Sequence, residues 1–336
     1  MPPIPIAMPM SRLRAPFAAL AVALLVSPAT GQDAPAPAPQ TLLGIVNDAG
    51  VVTSIVRFDG ARWRSSWPAP DDAITRTPLP SSLQSVPIGW TGVPLPERWY
   101  AWPRAAAAAT GGGTADREVR EIRVTRPVRY DAHCMPGFGL QVDPRELGLA
   151  GLFGSKRQTE AHAFPKRKVA LALSNADVRV ERIDDVRTDA ASEREVLRAA
   201  ATLFRANVKA AAARDGRTLS SDRLRVQWTS AWSYALPDSD ERIYLLEGHD
   251  RDTPVITGFV WLRTKGRTPV EHRGRAVIDD EDFKQTVRRK PMGVIASGSR
   301  RLWFSEVDGY ESEAYELIDL ASPRLPAALT IPGGGC

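Results

Sequence analysis

The sequence predicts an α+β fold that is mainly β: an antiparallel meander sheet packed on one long amphipathic helix, preceded by a small β-hairpin region. Three observations carry that reading. Leu224, Val226, Trp228, Ser230, Trp232, Tyr234 and Leu236 alternate with Arg225, Gln227, Thr229 and Ser233, the period-2 pattern of a half-buried strand. Val196, Ala200, Leu203, Phe204, Val208 and Ala211 fall on one stripe at helical spacing. Turn residues recur between short apolar runs from Pro237 to Gly309, as in a chain of hairpins.

The elements follow in order. Residues 1–31 have the layout of a signal peptide: a positive region at Arg12 and Arg14, an uncharged run from Phe17 to Val26, then small residues at Ser27, Ala29 and Gly31. Cleavage is expected after Gly31, with Ala29 as the alternative. The apolar run is shorter than the roughly 20 residues that cross a bilayer as a helix. No later run is long enough to do so, so no transmembrane segment is expected after signal removal. The mature chain is therefore expected to be soluble and periplasmic or extracellular. Residues 32–40 are a Pro/Ala spacer of polyproline type.

Residues 41–115 read as an N-terminal β-rich region. Leu42–Val46 and Val51–Phe58 make a hairpin around the turn Asn47–Gly50. A Pro-rich stretch with few periodic features runs from 68 to 103, and the Ala- and Gly-rich residues 104–116 suggest a mobile loop or a boundary. Residues 116–336 form the C-terminal β-rich region. Ile122, Val124, Val128 and Tyr130 share a strand face, and Pro127 marks an edge or strand end. Val169–Leu173 and Val178–Ile183 suggest another hairpin across Ser174–Asp177. The central helix is expected over 192–213, opened by a capping box of Ser192 with Glu195 and stopped at Gly216. Arg194, Arg198, Arg205 and Lys209 gather on its outer side. Asn207, inside the apolar stripe, suggests a local hydrogen bond. Strands follow near 243–246, 255–262 and 270–278. A hairpin of 294–297 with 301–307 turns at Gly298-Ser299, and a last strand falls within 313–320.

Charge and cysteines bound the function. Loss of Arg12 and Arg14 lowers the formal charge of +5 by two, and the arginines are spread rather than clustered. That argues against a nucleic-acid binder, which shows a basic patch. Cys134 and Cys336 are expected to pair as a disulfide, Cys336 reaching back through the leash Gly333-Gly334-Gly335. The chain-entropy model assigns such a large loop about 5 kcal/mol. An intermolecular bond is the alternative.

Catalytic motifs are missing at motif spacing. There is no G-x-S-x-G, and His133, His162, His249 and His272 lie far apart without a zinc-type pairing. Asp279–Asp282 and the acids from Asp308 to Glu316 read as solvated turns, not as calcium loops. The glycines near Gly151 do not make a phosphate cradle, so no cofactor and no metal are expected. The aromatics Trp90, Trp99, Tyr100 and Trp102 could face a sugar or peptide, or could plug an irregular segment. Trp228, Trp232 and Tyr234 read as core. The chain is thus expected to be a non-catalytic binding or envelope-associated module whose partner is an envelope component, a glycan or a peptide. Two alternatives are an extracytoplasmic hydrolase assembled only in the fold, for instance around His249 and Asp250, and a carrier of a small apolar ligand between helix and sheet.

Overall fold

The computed structural model describes residues 40–47, 49–59, 62–65, 78–103, 119–132, 135–143, 168–188, 190–279 and 286–335. The signal, the spacer, Cys134 and Cys336 lie outside them. Strands β1 (Thr41–Asn47) and β2 (Val51–Phe58) form the first hairpin, with Val46 opposite Val52. Asn47 shapes its turn, accepting the Ala49 and Val51 N–H groups on its side-chain oxygen at 3.0 Å each. β3 (Trp63–Ser65) runs beside the end of β2. Then come a 3-10 turn (Leu83–Ser85), α1 (Ile88–Thr91), β4 (Arg98–Pro103), β5 (Arg120–Ala132), β6 (Met135–Val142) and β7 (Lys168–Leu173). The order β1-β7-β4-β5-β6-β2 closes because β2 pairs with β1, making a six-stranded antiparallel barrel. The ring takes strands from both sides of residues 104–118.

Its interior follows from strand alternation. On β7, Ala170 and Ala172 point inward with Trp99, Phe138 and Leu140, while Leu171 and Leu173 point outward. The small side chains leave room for the Trp99 indole, and such alternation of small and large is how narrow barrels fill. A Cβ on Gly139 would lie 2.4 Å from Val51 Cγ1 and 2.7 Å from the Val52 carbonyl oxygen, so this close approach of β6 to β2 requires glycine. On β5 the register shifts between Val124 and Arg126, so Pro127 is buried and Val128 only half-buried. That bulge breaks the single face expected for Ile122, Val124 and Val128.

Two short strands, β8 (Arg179–Glu181) and β9 (Asp184–Asp185), precede α2 (Arg194–Arg214). The expected capping box does not cap it. A 3-10 turn (Ala191–Glu193) tightens the entry and moves the N-cap to Glu193, which makes no side-chain cap bond. The exit is as expected: Gly216 is left-handed at φ 67, and Arg217 N–H reaches Ala212 O at 2.8 Å, closing a Schellman motif.

The strands after Asp222 divide between two sheets, where the sequence suggests one curved sheet on the helix. β10 (Val226–Ala235), β11 (Glu241–Asp250), β12 (Ile256–Lys265) and β13 (Thr268–Ile278) make an outer sheet ordered β13-β12-β11-β10-β9. β14 (Arg288–Ser297), β15 (Arg300–Gly309), β16 (Ser312–Asp319) and β17 (Ala327–Gly335) make a middle sheet ordered β17-β16-β15-β14-β8. β7 and β8 are therefore not a hairpin: β7 sits in the barrel between β1 and β4, and β8 pairs with β14. The three glycines expected as a leash continue β17.

Side-chain alternation fixes the layering. Leu302 and Phe304 face the barrel's Leu43, Ile45 and Leu171, while Trp303 between them meets Trp261 edge-on at 4.9 Å. The middle sheet is thus buried on both faces, which explains the unbroken run Leu302-Trp303-Phe304. The outer sheet shows Tyr244, Leu246, Val260 and Leu262 to the stripe of α2 and Ile243, Leu245 and Trp261 to the middle sheet. A bulge between Trp228 and Ser230 puts Trp228 on the helix side but Trp232 and Tyr234 on the other. The expected single face of β10 is therefore split.

Candidate functional site

The outer flank of α2 gathers charge. Arg194, Arg198 and Lys209 are exposed, and Arg205 is half-buried with its Nε donating to Leu224 O at 3.0 Å. At 3.6 residues per turn the four fall within an arc of about 60°, spread over about 22 Å of axis. Exposed Thr202 and Ala206 beside them are small. None of the four makes an ion pair with a described residue. Elsewhere arginines do: Arg225 to Asp252 at 2.6 Å, Arg64 to Asp59 at 2.7 Å, Arg289 to Glu316 and Arg301 to Glu181 at 3.2 Å.

A second concentration of charge lies between the middle and outer sheets. Glu247 shares its β11 face with Ile243 and Leu245, so it points at the middle sheet, beside Phe259 of β12. Its Oε1 accepts the backbone N–H of Arg289 at 2.7 Å. The Arg289 guanidinium lies 3.7 Å from the centroid of the Phe259 ring, and its Nε donates to Glu316 Oε2 at 3.2 Å. Arg289 Nη1 is buried without a hydrogen-bond partner among the described residues. Glu247 is 7% exposed, and burial lifts its pKa from 4.5 to about 7. The Arg289 N–H and the Arg289 and Arg288 charges pull the other way, while Asp308 adds to the rise. At the opposite end of the interface Glu181 accepts from the Tyr234 hydroxyl and from Arg301 Nε. Burial, aided by Glu181, pushes the Tyr234 phenol up.

On the barrel side of the same strands Glu306, Asp308 and Glu313 bring ligand oxygens within 4.8 Å of one another. Lys290 Nζ donates to Asp308 and the Tyr315 hydroxyl to Glu313, so an ammonium already supplies the countercharge. These residues could surround a cation by geometry alone. They are not the solvated turn expected for Asp308–Glu316: Glu306 is buried, and Asp308, Glu313 and Glu316 are half-buried on paired strands, with only the Tyr310–Ser312 turn exposed. Asp279 is likewise buried, accepting from Thr286 Oγ1 at 3.2 Å, and Asp280–Asp282 lie outside the described residues.

The sequence-predicted aromatics do not share one exposed face. Trp99 is fully buried in the barrel, its Nε1 donating to Pro96 O at 3.0 Å. Trp90 of α1 stacks on Phe138 at 5.1 Å and, with Leu83, Val86, Val93 and Leu95, packs on the same barrel cluster. Trp102 packs on the barrel–middle-sheet core, and Tyr100 is half-buried on β4. His249 and Asp250 are adjacent on β11 and so face opposite sides; Asp250 Oδ1 accepts the Arg225 N–H at 2.7 Å. The sequence reading missed Glu247 and Arg289. The available signal was one acid at an inward position of a strand otherwise apolar from Ile243 to Leu246. The chain matches no family model, no curated protein and no solved structure.

Proposed function

We propose that the mature chain is an exported, non-catalytic binding module that docks on an anionic lipid surface of the cell envelope through the outer flank of α2. The observation that supports this reading is the row of Arg194, Arg198, Arg205 and Lys209 on one flank of α2, with no acidic partner among the described residues, whereas Arg64, Arg225, Arg289 and Arg301 each have one. The apolar stripe of α2 is spent on the outer sheet, so the helix would hold the surface by charge without inserting. Each cation near an anionic bilayer is worth about 1 kcal/mol. Neutralising three, as Arg194→Gln, Arg198→Gln and Lys209→Gln, should weaken binding to phosphatidylglycerol-rich vesicles roughly a hundredfold. Vesicle co-sedimentation at low and high salt measures it. Equal binding to zwitterionic vesicles, or binding to an anionic glycan or acidic peptide in place of lipid, would overturn the assignment.

Export rests on the layout of residues 1–31. The Cys134–Cys336 disulfide belongs to the same proposal. It is supported by β17, which ends one residue before Cys336 and lies against β5 and β6, the strands on either side of residues 133–134.

A further inference from the structure

Trp228 stands at the border of the helix–sheet core. It is half-buried and edge-on to Phe204 at 6.0 Å, and its indole N–H has no hydrogen-bond partner among the described residues. Trp99 and Trp303, both fully buried, donate instead to Pro96 O and Ser305 Oγ. Small residues seat the ring: Trp228 pairs with Gly248 and Gly248 with Gly258 across the sheet. The Trp228 and Phe204 rings come within 2.9 Å and 3.1 Å of where Cβ atoms on those two glycines would stand. Contacts also fix which flank of α2 the indole adjoins. The helix lies over β12 and β13, and Asn207, about 60° around it from Phe204, meets Gly274 of β13. Leu197, Ala201 and Arg205 lie about 20°, 60° and 100° the other way, toward β10. The Arg205 bond to Leu224 O, two residues before that strand, agrees. Leu197, Ala201 and, on β10, Val226 are half-buried like Trp228, so a partly wet apolar strip runs between β10 and the basic row. Toward β13 the helix places a single cation, Arg214, in its last turn.

We propose that this strip, with Trp228 as its anchor, is the part of the docking face that enters the headgroup layer of an anionic bilayer, so that the molecule rests with its β10 side toward the membrane. The inference rests on the reading of the α2 flank as a lipid-docking surface and adds to it an apolar contact and an orientation. An indole with an apolar body and an idle N–H suits the boundary between acyl chains and headgroups, where one end is dry and the other wet. Arg194, Arg198 and Arg205 border the same strip, so the phosphates they attract lie beside the ring that would enter. The helix itself stays at the surface; the sheet supplies the anchor.

The test uses the full chain with vesicles of phosphatidylglycerol and phosphatidylcholine, plain or brominated on the acyl chains next to the headgroups. At low salt the brominated vesicles should quench part of the tryptophan emission. Trp228→Phe, which keeps a ring against Phe204, should lose that quenching. Vesicle binding with the same quenching in wild type and Trp228→Phe, or with none in either, overturns the anchor and leaves docking by charge intact. A wild type that binds no anionic vesicle overturns both. Two uncharged substitutions on opposite flanks of α2 test the orientation without touching the indole. Ala201→Leu, on the strip, should tighten binding about fivefold through added apolar contact, whereas Ala210→Leu, toward β13, should leave it unchanged. Equal affinities for those two variants reject the proposal even if Trp228→Phe does not fold.

Discussion

Gly274 of β13 lies beneath Asn207 of α2, and a Cβ on it would come 2.4 Å from the Asn207 amide nitrogen and 2.7 Å from the Phe259 carbonyl oxygen. The second of these is backbone and cannot turn aside. Gly274→Ala is therefore expected to cost about 1–3 kcal/mol through overpacking. Adding Asn207→Ala should recover part of that loss and no more, because the carbonyl remains; urea unfolding of the single and double variants measures both. The two residues were visible separately in the sequence, a polar side chain in an apolar stripe and a glycine in a strand. Their contact was not, since nothing local says which strand a helix will cover. Glu247 is a similar case. Its strand was legible, but the burial that shifts its proton comes from β14 and β16, distant in the chain.

The long helix was legible because its stripe repeats over five turns and Gly216 ends it. Its start was not, because a 3-10 turn competes with the capping motif at almost no cost in spacing. Phe204 is the centre of the stripe, 3.1 Å from the Cβ position of Gly258 and edge-on to Trp228 at 6.0 Å. Phe204→Ala is expected to cost about 3–5 kcal/mol. A chemical-denaturation midpoint followed by circular dichroism checks it; a loss below about 1 kcal/mol would mean that the helix is not held by this contact. Strands that are compact apolar runs bounded by turn residues, β2, β11 and β12, could be read directly. Where a bulge adds a residue, as at Thr229 in β10, strict alternation in the sequence puts successive aromatics on opposite faces. β6 and β17 escaped notice because proline and glycine interrupt them, and β4 because it is short and lies in a Pro-rich stretch; their partners, not their own pattern, make them strands.

Barrel, middle sheet, outer sheet and helix are stacked through three shared cores, and the division into layers was the least legible part. Alternation says that a strand has an inside; it does not say how many other sheets touch it. Leu302-Trp303-Phe304 was the local hint that one sheet is covered twice. The proposed disulfide belongs to this scale, since it would tie the last strand of the middle sheet to the β5–β6 hairpin of the barrel. Thiol titration of denatured, unreduced protein from an oxidising compartment should find no free thiol. Cys336→Ser should then expose one, at Cys134. Two free thiols in the unaltered chain would remove the staple.

β1 carries a demand that reaches beyond packing. It pairs on one side with β2, four residues away in the chain, and on the other with β7, whose Leu173 lies opposite Leu43. A polypeptide delivered end-first from a pore or ribosome must therefore hold its opening strand with an unsatisfied edge until more than a hundred further residues have emerged. During that wait the apolar sequence Leu42-Leu43-Gly44-Ile45-Val46 is available to any other unpaired strand. Long-range ring completion leaves that edge open to other chains in the meantime, so the yield on refolding by dilution is expected to fall as protein concentration rises.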